Sequence, residues 1–121
     1  MIMIAGTVDV DPARRDEALV AASPHMENTR AQKGCIDYVW SADLLVPGRI
    51  YVFERWEDQA SLEAHFKGPY YLAMRDTIAA HGLTGADVLK YKPALSEQVY
   101  DSTGTPRADF FTSTRAGPAA S

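Results

Sequence analysis

The sequence predicts an α+β fold built in the order strand, helix, strand, strand, helix, strand. Three observations predict it. Apolar residues alternate with a period of two around residues 2–10, 35–42 and 49–56. They recur at helical spacing across residues 12–33, 59–66 and 69–81. Glycine and proline cluster at the joints: Gly34, Pro47-Gly48, Gly68-Pro69 and Gly82.

The first strand is read from Ile2, Ile4, Gly6, Val8 and Val10, which alternate with Met3, Ala5, Thr7 and Asp9. Asp11-Pro12 follows, and this pair suits a helix start: Asp accepts from the first free amides and Pro fits the first turn. The expected helix spans 12–33, with Ala18, Leu19, Ala22, Met26 and Thr29 inside. Arg14, Arg15, Asp16, Glu17, Arg30 and Lys33 are expected outside. Pro24 removes one backbone bond and should kink it, and Gly34 ends it. Residues 35–42 read as a second strand carrying Ile36, Tyr38 and Trp40 on one face. Val46-Pro47-Gly48 is a turn, and the third strand, 49–56, is rich in Ile50, Tyr51, Val52 and Phe53. The two strands form a hairpin, which Glu54 is expected to support by pairing with a neighbouring cation. Asp58 caps a helix over 59–66, and Gly68-Pro69 breaks it. Pro69 opens a second piece to about His81, and Val88, Leu89 and Tyr91 mark a fourth strand within 83–93.

This order is the ferredoxin-like β-α-β-β-α-β sandwich, an antiparallel sheet with helices on one face. Tyr38, Trp40, Tyr51 and Phe53 cannot all point at the helices, because neighbours along a strand face opposite ways. The second face is therefore apolar too, and a homodimer built face to face on the sheets is expected to cover it. Residues 1–93 form the domain. Residues 94–121 are a tail rich in Ser, Thr, Gly, Pro and Ala, whose Val99, Tyr100, Phe110 and Phe111 are expected to dock on the domain or on the partner subunit.

Composition narrows the function. A chain of 121 residues supports one core. A net charge of -4 with no Lys/Arg run leaves a nucleic-acid partner without an electrostatic footprint. The single Cys35 allows no internal disulfide, reads as a packing residue, and fits a reducing compartment. No apolar run behind a basic start marks a signal segment, and none approaches a membrane span, so the expectation is cytoplasmic with no membrane partner. His25, His65 and His81 are too far apart in sequence to share a helix face, which argues against a zinc site. There is no Gly-x-Ser-x-Gly elbow and no Gly-rich phosphate loop. No metal or other cofactor is expected, and a substrate would supply much of its own chemistry.

One stretch carries more. Phe53-Glu54-Arg55-Trp56-Glu57-Asp58-Gln59-Ala60-Ser61-Leu62-Glu63-Ala64-His65-Phe66 resembles the signature of the antibiotic biosynthesis monooxygenase family, in the dimeric α+β barrel superfamily. The shared features are a strand ending in Glu-x-Trp, a short helix, and Leu-x-x-His-Phe. Ile4-Ala5-Gly6-Thr7-Val8 resembles the family's first strand. Thr29-Arg30, Gly34-Cys35 and the Tyr-x-x-Ser-x-Asp of Tyr38 to Asp43 resemble the passage from helix to hairpin. The resemblance covers residues 1–93. It implies dimers of ferredoxin-like subunits, each with a cavity between sheet and helices. It also implies oxidation of hydroxylated aromatics or quinols by molecular oxygen without metal or flavin.

The resemblance nominates Trp56, Arg75 and His65 as catalytic residues: Arg75 to hold a phenolate oxygen, His65 to move a proton, Trp56 to contact substrate. Thr7, placed where the first strand should face the cavity, and Tyr51, Tyr70 and Tyr71 are the candidate substrate-binding residues. There are departures. A quinone-forming member carries Asn where Val52 stands. The haem-degrading branch has Asn, Trp and a haem-ligating His at the positions of Thr7, His65 and Arg75, which argues against haem chemistry here. Many relatives have a second His where Tyr70 stands. Two other readings share the scaffold: a non-oxidative isomerase or cyclase-like enzyme, and a small-molecule binding protein without catalysis.

Overall fold

A computed structural model describes residues 1–112. Its elements are β1 (Ile2–Asp9), α1 (Arg15–Arg30), β2 (Cys35–Ala42), β3 (Arg49–Trp56), α2 (Gln59–Lys67), α3 (Pro69–Ala80) and β4 (Gly85–Tyr91). The four strands form one antiparallel sheet in the order β2-β3-β1-β4, with the helices on one face. This is the ferredoxin-like α+β fold expected from the sequence.

Parity decides which residues see the helices. Ile4, Val8, Tyr38, Ile50, Val52 and Trp56 are buried there against Ala18, Ala22, Leu62, Met74 and Ile78. Burial of such a side chain contributes about 1.5–3 kcal/mol. The register pairs Ile4 with Glu54 and Glu54 with Tyr38, which puts a carboxylate on the same inner face. The residues in between (Thr7 opposite Tyr51, Ala5 opposite Phe53 and Leu89, Met3 opposite Tyr91) share the outer face. Asp9 and Arg49, cross-strand partners, close a two-pronged ion pair at 3.0 and 3.2 Å.

Several local expectations change. Asp11 does not cap the helix. Its carboxylate accepts from Ala13 N at 2.9 Å and its carbonyl from Arg14 N at 2.9 Å, making a turn that delays the helix to Arg15. Pro24 is accommodated inside an unbroken α1. Arg15 turns inward, and its guanidinium holds the carbonyls of Asp43 and Val46 at 2.6 and 3.2 Å. Ile36 sits in a bulge between Cys35 and Asp37, which throws it out of the Tyr38 and Trp40 face.

Two glycines are required by close approach. A Cβ on Gly6 would lie 2.1 Å from the carbonyl oxygen of Asp87 and 2.6 Å from Cα of Val88. Gly34, at φ +82, lets the chain pass Ser61, whose Oγ would lie 2.1 Å from a Cβ there.

Residues 94–112 fold on themselves. Glu97 accepts from the amides of Phe111 and Thr112, both at 2.9 Å. Tyr100 bridges to Pro106, and Arg107 lies over the Phe111 ring. Val99, Tyr100 and Phe110 stay more than half exposed. The rest of the tail, 113–121, lies outside the described residues. Among the described residues, no helix is long and apolar enough to cross a membrane.

Candidate active site

A cleft opens between the inner sheet face and the α2–α3 corner. It has two connected parts. The inner one, about 210 Å³, is bounded by Tyr38, Trp40, Glu54, His65, Tyr71 and Arg75, with apolar Val8, Met74 and Ile78. The outer one, about 640 Å³, runs along Ile4, Val52, Val88 and Lys90. Trp40, Glu54, Phe66 and Tyr71 border both. Such a volume, with apolar walls and few polar groups, suits a small organic ligand.

The α2–α3 corner sets the aromatic wall. Asp58 caps α2 as expected, accepting from Ser61 N at 2.8 Å. One turn on, His65 is buried inside four rings: Trp56, Tyr71, Tyr38 and Phe66, at centroid distances of 4.8, 5.9, 5.6 and 5.8 Å. Its Nδ1 contacts Gln32 Oε1 at 2.7 Å. With a carbonyl-type oxygen as partner, Nδ1 donates, and neutral His65 keeps an acceptor at Nε2. Burial drives its pKa down to about 4.

Glu54 changes the picture most. Among the described residues no cation pairs with it, contrary to expectation; its one hydrogen bond is from Trp56 Nε1 to Oε1, at 2.9 Å. Parity is the reason. Arg55 lies on the opposite face, where it bonds Asp37, while Glu54 faces the core with Val52 and Trp56. Burial raises its pKa to about 7, against the opposing pull of the Trp56 hydrogen bond. Burial first, and the Glu54 charge second, raise the pKa of both the Tyr38 phenol and the Cys35 thiol. The Trp40 indole N–H and the Thr29 hydroxyl flank that phenol without reaching hydrogen-bond geometry, and both are buried without a partner among the described residues.

The nominated residues divide. His65, Arg75 and Tyr71 border the inner cavity together. Arg75 is largely exposed and meets Asp76 at 3.4 Å. Trp56 is fully buried behind the wall, touching Glu54 and His65 rather than the open space. Tyr70 borders neither cavity. Thr7 and Tyr51 lie opposite each other on the outer face, which corrects the expectation that Thr7 faces the cavity. Glu54 and Trp40 are the site residues that sequence reasoning passed over. The signal was available: each falls on the inner parity of its strand. His25 and His81 serve the scaffold, through Thr77 Oγ1 at 2.9 Å and Thr77 O at 2.7 Å. Among the described residues no group of three or more His, Cys, Asp or Glu could hold a metal ion.

Comparison with known proteins agrees with this fold. A Deinococcus radiodurans protein proposed as an antibiotic biosynthesis monooxygenase superposes with a TM-score of 0.74 at 20% identity, covering 84% of this chain and 100% of that one. Rv0793 of Mycobacterium tuberculosis gives 0.68 at 23% identity, over 79% of this chain and 96% of that one. At these identities the likeness is one of fold. The uncharacterized protein sll1783 of Synechocystis is 31% identical over 70 residues, 58% of this chain. The chain spans about half the length of that relative, 48%. The sequence profile described as antibiotic biosynthesis monooxygenase matches residues 1–77, more than half of the chain, and the protein belongs to that family.

Proposed function

We propose that the cleft binds a hydroxylated aromatic or quinol and oxidises it with molecular oxygen, using the reducing power of the substrate rather than a resident cofactor. Family membership supports a monooxygenase-like role. The observation that carries the finer reading is the cleft itself: Trp40, Phe66 and Tyr71 form aromatic walls, and Glu54, His65 and Arg75 meet at its inner end. The walls suit a flat ring system. Arg75 can hold an anionic oxygen, and neutral His65 can accept a hydrogen bond. Loss of a proton makes the ring electron-rich enough to donate to oxygen. One oxygen atom then becomes the new carbonyl, and the other leaves as water with two substrate hydrogens. Oxygen uptake by the purified protein with anthrone and catechol panels tests this. Uptake that falls in Arg75→Ala and His65→Ala supports it. No uptake with any substrate argues against it, and turnover under anaerobic conditions favours an isomerase or cyclase-like reaction.

The outer face supports the second half of the reading, a homodimer. Tyr51, Phe53, Leu89 and Tyr91 lie there together, each more than a third exposed. A contiguous apolar sheet face of this kind suits a second copy of the chain. The exposed Val99, Tyr100 and Phe110 of the tail would dock on that partner.

A further inference from the structure

The mechanism above leaves open which group takes the proton, and the cleft offers two. His65 is the one the sequence suggests. The geometry favours the other. His65 is enclosed by four rings and already engaged through Nδ1 with Gln32. Glu54 borders both the inner and the outer part of the cleft, so a ligand in either part meets it. Among the described residues, only its Oε1 is bonded, by Trp56 Nε1, and Oε2 has no protein partner. We propose that Glu54 is the proton acceptor of this site, taking a proton from the enolisable carbon or hydroxyl of an aromatic substrate, and that Trp56 is the residue that positions it.

The step balances without an oxidant. The substrate C–H or O–H bond breaks heterolytically, the proton moves to a Glu54 carboxylate oxygen, and the electron pair stays in the aromatic enolate. Arg75, in the same inner cavity, is placed to hold the enolate oxygen. Burial supplies the matching basicity: a carboxyl with a pKa of about 7 is half ionised at neutral pH, the best compromise between availability and strength for a base. Other titratable groups face it. Tyr38 and Cys35 on β2 stay neutral because their own pKa values are raised, His65 on α2 is neutral above about pH 4, and Arg75 and Lys90 border the cleft as cations.

The inference rests on the proposed aromatic substrate, but its test need not involve oxygen. Anthrone is incubated anaerobically with the protein in heavy water, and deuterium entry at its acidic methylene is followed by NMR. The wild type should accelerate exchange, with an inflection near pH 7. Glu54→Gln, shown by fluorescence quenching still to bind anthrone, should lose at least about 100-fold, the usual contribution of a general base. Trp56→Phe removes the hydrogen bond that favours the carboxylate, so the inflection should move to higher pH. In His65→Gln it should stay near 7. No wild-type exchange, full exchange in Glu54→Gln, or loss of the inflection in His65→Gln would each overturn the assignment. If Glu54→Gln does not fold, the wild-type and Trp56→Phe profiles decide: a flat profile, or one unmoved by Trp56→Phe, overturns it. Exchange without oxygen uptake would sink the oxygenase reading alone, and oxygen uptake undiminished in Glu54→Gln would sink this one alone.

Discussion

Glu54 and His65 both contact Trp56, and burial pushes their proton affinities in opposite directions. Folded Glu54 holds a proton up to about pH 7, against a reference of 4.5. The native state therefore binds more protons than the unfolded chain in that window, and stability falls as pH rises through it. The cost at pH 8 is about 3 kcal/mol. His65 titrates near 4 rather than 6.5, so the native state binds fewer protons there, and stability falls as pH drops from 6.5 toward 4. Between about 4.5 and 6.5 the two slopes oppose each other. Glu54→Gln keeps an acceptor for Trp56 and removes the buried charge, so it should stabilise the protein by about 2–3 kcal/mol at pH 8 and by little at pH 4.5. It should also unmask His65, giving a stability that climbs with pH between 4 and 6.5. Urea titrations across pH check both. A variant no more stable than wild type at pH 8 would mean that Glu54 is ionised at little cost.

β1 and β4 both line the outer part of the cleft, and Gly6 lets them pair closely. With backbone atoms of Asp87 and Val88 at 2.1 and 2.6 Å from a Cβ, no rotamer change can make room. Gly6→Ala should destabilise by about 2–3 kcal/mol, with β4 amides losing exchange protection before those of β3. Retained β4 protection would show that the strands can slide apart at no cost. At this scale the sequence was highly legible. Period two located three strands, and Gly68-Pro69 split the second helical region where it is split. The same rule would have placed Glu54 inward and Thr7 and Tyr51 outward, but family likeness named residues by position and not by facing. Asp11 misled because Asp stabilises a turn as well as a helix start, and only the following geometry separates them. That Trp56 lies behind the cavity wall depends on contacts with α2, which no local pattern encodes.

The whole molecule presents two apolar surfaces, the cleft proposed to bind a ligand and the outer sheet face proposed to pair with a second copy. Tyr51→Asp with Phe53→Asp places charge at the middle of that outer face and leaves the inner parity untouched. Light scattering should show the wild type at twice the chain mass and the double variant at one chain mass with its fold intact. A monomeric wild type at micromolar concentration would contradict the dimer. The function is tested most directly by the fate of the oxygen atoms. Turnover of anthrone under isotopically heavy dioxygen should place one heavy atom in each product molecule and the other in water. Product formed without oxygen, or carrying its new atom from solvent water, would contradict the account.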